Sequence, residues 1–443
     1  MLSNTTPTLA FHSPFAMDVV LTALRSGEWS LLDYLDELET HFEEREPEIK
    51  AFVSENGRFD RLRREAEALL AQYPDPEKRP FLFGLPIGVK DIFHTDGFVT
   101  QAGSRLPTDS LQGKESTAVT QLRQAGALIL GKAVTTEFAY FGPGPTRNPH
   151  NPDHTPGGSS SGSAAGVGAG LCLLALGTQT IGSINRPAAF CGVVGFKPSY
   201  DRISKAGVIP LAPSVDTIGF FTSEVVGVDL LAGLLCDGWQ SAPESSDLPV
   251  LGIPDGAYLQ RADAEGQAYF NVICENLRLA GYKVKSVPIM ADFDEIYDHH
   301  QTIVAAEAAQ VHVTWFSQYP ELYHEKTADL IKRGQTVAAD SLEIALAGRE
   351  KLRYELSAAM EDAGIDLWLS PPAVGSAPSG LTSTGDPVMN LPWTHAGLPT
   401  MSLPAGFNNG GLPMGLQITG QWYGDEAMVA AAMQLETVLQ NQS

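Results

Sequence analysis

The run Pro156-Gly157-Gly158-Ser159-Ser160-Ser161-Gly162-Ser163 sets four hydroxyls among glycines. Composition alone permits a flexible Gly/Ser linker. A linker should separate two domains, yet this run leads straight into Ala164-Ala165-Gly166-Val167-Gly168-Ala169-Gly170-Leu171, a small-residue stretch suited to close helix packing. A phosphate-binding loop is the next candidate, but the Lys-Ser/Thr ending of a Walker A sequence is absent. What remains is a site where hydroxyls sit beside exposed backbone amides at a helix start. A second segment, Gly177-Thr178-Gln179-Thr180-Ile181-Gly182-Ser183-Ile184-Asn185-Arg186-Pro187, places a serine after a glycine. Such a serine can project its Oγ while preceding amides face a developing oxyanion; alone, it also reads as an ordinary turn serine. In the third, Gly84-Leu85-Pro86-Ile87-Gly88-Val89-Lys90-Asp91, a lysine ends an apolar strand. Most such lysines are solvated, but one carried into the interior loses its charge and can accept a proton.

The elements that must hold these segments follow from periodicity. From Pro14 to about Leu70, Val19, Val20, Leu21, Leu24 and then Leu31, Leu32, Tyr34, Leu35 and Leu38 recur at helical spacing. Arg61 to Gln72 continues this until Tyr73-Pro74-Asp75-Pro76 ends it. From Gly84 to Gly207 short apolar runs such as Leu85 to Val89, Leu128 to Leu130 and Val193 to Phe196 alternate with helical stretches, as in an α/β sheet. Residues 250–365 are glycine-poor and read as helical, and glycine and proline return between Pro371 and Gly415. No repeat recurs at a fixed period.

Composition narrows the function. With 29 basic and 52 acidic residues the formal charge is −23, which repels phosphate backbones and anionic lipid surfaces. Direct nucleic-acid or membrane binding is therefore not expected. Four cysteines in 443 residues, with no CxxC pair, describe neither a disulfide scaffold nor a zinc ribbon. Met1 to Ala10 does not read as a signal peptide, and Ala164 to Gly177 is too short and glycine-rich to span a bilayer. A cytoplasmic protein is the expectation.

The three segments together resemble the amidase signature family. The family's Gly-Gly-Ser-Ser-x-Gly stands here as Gly157 to Gly162, and its Gly-Ser and Pro-Ala-Ala-Phe-Cys-Gly-Val-Val-Gly-x-Lys-Pro stretch as Gly182 to Pro198. Gly131-Lys132, Glu137-Phe138-Ala139, Asp216-Thr217-Ile218-Gly219, Asn390-Leu391-Pro392-Trp393-Thr394, Gly397-Leu398-Pro399 and Gly411 to Gln417 extend the match over nearly the whole chain. The resemblance implies an α/β amidase signature fold in which a central mixed β-sheet is surrounded by helices in a single large domain. Residues 1–80 would form its helical N-terminal segment and 81–443 the signature domain, with a variable helical insertion at about 250–365.

The implied chemistry is hydrolysis of a small amide through an acyl-enzyme. Ser183 takes the nucleophile position, Ser159 that of the bridging serine (on a cis peptide in the family) and Lys90 that of the general base. The backbone amides of Thr180, Ile181, Gly182 and Ser183 would form the oxyanion hole. Arg186, Ser160 and Gln179 are the expected substrate-binding residues, and no metal or other cofactor is called for. The sequence departs from the family pattern at two points. Ile181 puts a β-branched side chain where the family commonly has glycine, which is strained if that position needs a positive φ. The arginine stands at Arg186, as in malonamidase-like members, where many relatives have it one residue earlier. It could clamp a substrate carboxylate or bind loop carbonyls. Two other functions stay open: the glutaminase component (the A-type chain) of a tRNA-dependent amidotransferase, and a non-catalytic scaffold of the same fold. A homodimer is expected by analogy. Cys191 reads as a packed thiol, and His299, His300, His312 and His324 have no spacing that suits a common metal site. Trp393 and His395 are left without roles.

Overall fold

A computed structural model describes residues 17–242 and 247–440; Met1 to Ala10, on which the signal-peptide reading rests, and Pro14 lie outside them. Its strands are β1 (Pro86–Lys90), β2 (Leu128–Ala133), β3 (Leu174–Gln179), β4 (Val194–Lys197), β5 (Thr217–Thr222), β6 (Leu251–Asp255), β7 (Val284–Pro288), β8 (Leu367–Ser370), β9 (Thr400–Phe407) and β10 (Pro413–Thr419). They form one sheet in the order β2-β1-β3-β5-β4-β9-β10-β8-β6-β7. Pairing is parallel for β1 with β2 and β3 and for β6 with β7 and β8, and antiparallel elsewhere. Every residue of β1 to β5 is buried, which is why these strands read as continuous apolar runs and not as an alternation. The expected mixed sheet in one large α/β domain is what the chain forms.

Helices Met17–Ser26, Leu31–Ile49 and Arg58–Gln72 make the N-terminal segment. Ser30 caps the second through a bond from Asp33 N–H at 3.3 Å. The third ends at Gln72, before Tyr73-Pro74, where the sequence places its stop. Helix Ser161–Gly168 lies on β1, β3 and β5, as its small residues predict. A Cβ on Gly162 would stand 2.0 Å from the Ala51 carbonyl oxygen and 2.4 Å from Val134 N, so only glycine permits this approach. Among the described residues no helix is long and apolar enough to cross a membrane.

The glycine-poor stretch departs from a purely helical reading. It contains helices Ala264–Leu279, Phe293–Val311, Val313–Gln318, Glu325–Gly334 and Ala339–Ala363, but also β6 and β7 at the sheet's far edge. β6 carries Gly252 and Pro254, which obscure a strand pattern, and β7 is an edge strand with Lys285 and Ser286 exposed. Tyr258, Phe293, Ile303 and Leu352 from this stretch build a second apolar cluster with Trp368 and Trp393.

β1 and β2 are also tied by charge. Lys132 Nζ stands 2.9 Å from Asp91 Oδ1, both side chains nearly fully buried, and donates to Thr100 Oγ1 at 2.9 Å. Asp91 Oδ2 accepts from Gln101 N–H at 3.1 Å. Asp91→Ala leaves Lys132 buried without its counter-ion and is expected to destabilise the fold by about 3–5 kcal/mol. Urea denaturation of the variant beside the parent checks this, and a loss under about 1 kcal/mol would contradict it.

Candidate active site

Lys90 is the last residue of β1, where the strand delivers its side chain into the interior, fully buried. Its Nζ lies 2.7 Å from Ser159 Oγ and 2.8 Å from Thr178 Oγ1. Burial holds the amine well below the ordinary lysine range, opposed in part by the Asp216 carboxylate. Asp216 itself is engaged elsewhere: Oδ1 accepts from Thr180 Oγ1 at 2.6 Å, and Oδ2 from the Leu211 and Ala212 N–H groups at 2.8 and 2.9 Å. Lys90 is therefore a desolvated amine held by two hydroxyls.

Ser159 follows a cis Gly158–Ser159 peptide, as the family resemblance implies, and precedes helix Ser161–Gly168. Its carbonyl accepts from Thr136 N–H at 3.1 Å, fixing the loop that presents its hydroxyl. Ser183 sits in the turn between β3 and helix Asn185–Cys191, at 7% exposure. Ser159 and Ser183 line one small cleft together with Tyr140, Phe141, Leu211 and Pro387. Lys90 thus contacts Ser159, and Ser159 lines the same cleft as Ser183, the three coming from three separate segments.

The turn Thr180 to Ser183 has a defined frame. Thr180 C=O accepts from His300 Nε2 at 3.1 Å, Ile181 C=O from Thr394 Oγ1 at 2.7 Å, and Gly182 C=O from Arg186 N–H at 3.1 Å. The N–H groups of Ile181, Gly182 and Ser183 form no hydrogen bond to other described residues. Ile181 is not among the residues with positive φ, so its β-branched side chain fits without backbone strain and becomes part of the cleft wall. Gly182 must be glycine, because a Cβ there would meet Asn390 Oδ1 at 2.2 Å.

The three expected substrate contacts are placed differently from one another. Ser160 is fully buried; its Oγ donates to Thr178 C=O at 3.2 Å and accepts from Thr178 N–H at 3.3 Å. Gln179 is fully buried too, its Oε1 accepting from Ile184 and Asn185 N–H at 2.8 and 3.0 Å and its Nε2 donating to Thr394 Oγ1 at 2.9 Å. In both, the polar atoms are taken up by hydrogen bonds within the protein. Arg186 does reach the cleft. Its guanidinium donates to Gly385 C=O at 2.7 Å, to Gly158 C=O at 2.6 Å and to Thr384 Oγ1 at 3.3 Å. Burial lowers it to about 10, against a countering pull from Asp386. These bonds fit the loop-anchor alternative.

Other residues are missed by sequence reasoning. Thr178 and Asp216 lie within quoted motifs, and period-two alternation on β3 would have put Thr178 and Thr180 on the lysine side and Gln179 on the other. Asn185, Asn390 and Gln417 form a buried amide network: Gln417 Oε1 accepts from Asn185 and Asn390 Nδ2, each at 2.8 Å. Trp393 belongs to the core, its indole N–H donating to Tyr258 OH at 2.9 Å. Cys191 is a packed thiol that burial pushes upward. No three His, Cys, Asp or Glu side chains among the described residues are grouped as metal ligands.

A mixed sheet that buries a lysine against a serine on a cis peptide defines the amidase signature class. The family model described as Amidase matches residues 34–429, and the chain belongs to that family of amide-cleaving hydrolases. It is 31% identical over 465 residues to the A subunit of glutamyl-tRNA(Gln) amidotransferase from Synechococcus sp. strain WH7803, covering 93% of this chain and 95% of that one. To the Thermus thermophilus protein of the same name it is 33% identical over 460 residues, covering 93% and 94%. A crystal structure described as an amidase superposes with a TM-score of 0.87 at 31% identity, covering 96% of this chain and 99% of that one.

Proposed function

We propose that the protein hydrolyses a small, uncharged amide to acid and ammonia or amine, with Ser183 as nucleophile, Ser159 as proton relay and Lys90 as general base. The 2.7 Å contact between Ser159 Oγ and the fully buried Lys90 Nζ carries this reading. A serine hydroxyl is a poor nucleophile until a base removes its proton. Neutral Lys90 takes the Ser159 proton as Ser159 takes that of Ser183, and Ser183 Oγ bonds to the amide carbon. The carbonyl oxygen becomes an oxyanion facing the N–H groups of Ile181, Gly182 and Ser183. The relay then runs in reverse, Ser159 protonating the departing nitrogen as the C–N bond breaks. Water repeats the sequence on the acyl-enzyme and releases the acid.

The cleft wall of Tyr140, Phe141, Leu211 and Pro387 suits an apolar acyl group. Because three of its hydrogen bonds are to protein, Arg186 is assigned to holding the Gly158 carbonyl and not to a substrate carboxylate. Arg186→Leu is accordingly expected to lower kcat/KM for neutral and for carboxylated amides by similar factors. A loss confined to carboxylated amides would restore the clamp.

The scaffold reading is disfavoured by the burial of Lys90, since an interior amine with no carboxylate in contact is a burden a mere framework does not need. A second catalytic reading is favoured by the relatives named above: a glutaminase chain that passes ammonia to a partner. Two measurements decide. Incubation with a fluorophosphonate followed by peptide mass mapping should find the adduct on Ser183, and a panel of neutral, aromatic and carboxylated amides should release ammonia without any partner. Absence of the adduct in folded protein would sink the serine mechanism. Hydrolysis of glutamine alone, and only with a co-purifying partner chain, would move the assignment to the amidotransferase.

A further inference from the structure

We infer that His300 and Thr394 are positioning residues of the oxyanion turn, each fixing the direction of one of its amide N–H groups by holding the carbonyl of the same peptide unit. The inference rests on the proposed role of that turn. In a trans peptide the C=O and N–H point in opposite directions within one plane, so pinning one pins the other. The Thr180–Ile181 unit is held by His300 Nε2 at 3.1 Å, and the Ile181–Gly182 unit by Thr394 Oγ1 at 2.7 Å. Their opposite ends are the Ile181 and Gly182 N–H groups, which have no partner among the described residues. A bond received at the carbonyl also polarises the amide, making its N–H a better donor.

Both donors are themselves fixed. A carbonyl can only accept, so His300 Nε2 carries the hydrogen, which leaves Nδ1 to face His395 Nδ1 at 3.4 Å. Both rings are fully buried. Burial, with the nearby Arg349 guanidinium, holds His300 at about 3, so the ring is neutral throughout the working range. The Thr394 hydroxyl receives Gln179 Nε2 at 2.9 Å and has two carbonyls for its single proton, of which Ile181 C=O at 2.7 Å is nearer than Asn390 C=O at 3.2 Å. His300 comes from helix Phe293–Val311, within the stretch expected to be the variable insertion. That stretch therefore helps frame the reacting centre in addition to covering the sheet.

The test is steady-state hydrolysis of p-nitrophenyl acetate by His300→Phe, His300→Gln, Thr394→Val and Thr394→Ser, with Ser183→Ala as reference. Phenylalanine fills the ring's space without a donor, whereas glutamine keeps an N–H. His300→Phe and Thr394→Val should each lower kcat about 10-fold or more at nearly constant KM. His300→Gln and Thr394→Ser should recover most of that loss. Equal rates in donor-free and donor-keeping variants would overturn the inference, as would kcat unchanged in both donor-free ones. If His300→Phe fails to fold, the Thr394 pair decides alone. Should Ser183→Ala turn over the ester at the parent rate, the reading of Ser183 fails, and the carbonyl frame is then not what these rates report.

Discussion

Lys90→Met is expected to lower kcat for amide hydrolysis about 10,000-fold while leaving KM nearly unchanged. Methionine keeps the length and apolar bulk of the lysine stem, so Ser159 and Thr178 lose a partner without losing their packing. The wild-type profile supplies the control. Protonated Lys90 has no lone pair to receive a proton, so activity must rise with pH through the pKa of the buried amine and then level. Burial places that limb below the ordinary lysine range, and the residual activity of Lys90→Met should lack it. A limb unchanged in the variant would assign it to another group. The substitution moves stability and activity in opposite directions. Between the lowered folded value and the ordinary one the unfolded chain holds more protons, so this lysine makes the parent more stable as pH rises and less stable as it falls. Lys90→Met should accordingly gain stability at neutral pH, with the advantage shrinking toward the ordinary lysine pKa, as denaturant titrations at several pH values would report.

Ser183→Ala should be more damaging still, with kcat down by about a million-fold and the fluorophosphonate adduct gone. Ser183 lines the cleft without a role in fixing the turn: its side chain holds no hydrogen bond to described residues, whereas the turn's carbonyls are held from outside. The alanine variant should therefore fold and bind amides normally. Its remaining rate would come from the amide donors and from binding alone. Adding Lys90→Met to it should lower turnover little further, because both residues serve one proton path. Full multiplication of the two losses would mean that they act independently and would refute the relay.

What is legible in the sequence is local. Lys90, Ser159 and Ser183 each lie in a short glycine-containing motif, Lys90 at the end of a strand and the two serines in turns, and β1 to β5 are runs buried on both faces. Ser160 and Gln179 hold internal hydrogen bonds that the sequence does not announce, because nearness in sequence to a candidate residue is not nearness of the side chain in space. Along a strand, neighbours point to opposite faces, and Gln179 points to the helix start behind the turn. Arg186 cannot be resolved from its type, since a guanidinium serves carbonyls as readily as carboxylates. His300 leaves no local trace. Its meaning depends on a contact across 120 residues, and a helix bearing two adjacent histidines offers no pattern that says which one turns inward.

The strand order divides the sheet in a way that bears on synthesis. β1 to β5 occupy one continuous block and β6 to β10 the other, and they meet along a single seam where Gly195, Phe196 and Lys197 pair with Ser402, Met401 and Thr400. Everything proposed to move protons precedes residue 223, whereas Thr394 and Asn390, which press on the proposed oxyanion turn, come from beyond the seam. A chain emerging from the ribosome thus carries the proposed base, relay and nucleophile before the parts proposed to aim its amides. On the proposed roles, hydrolytic competence waits for the seam to close.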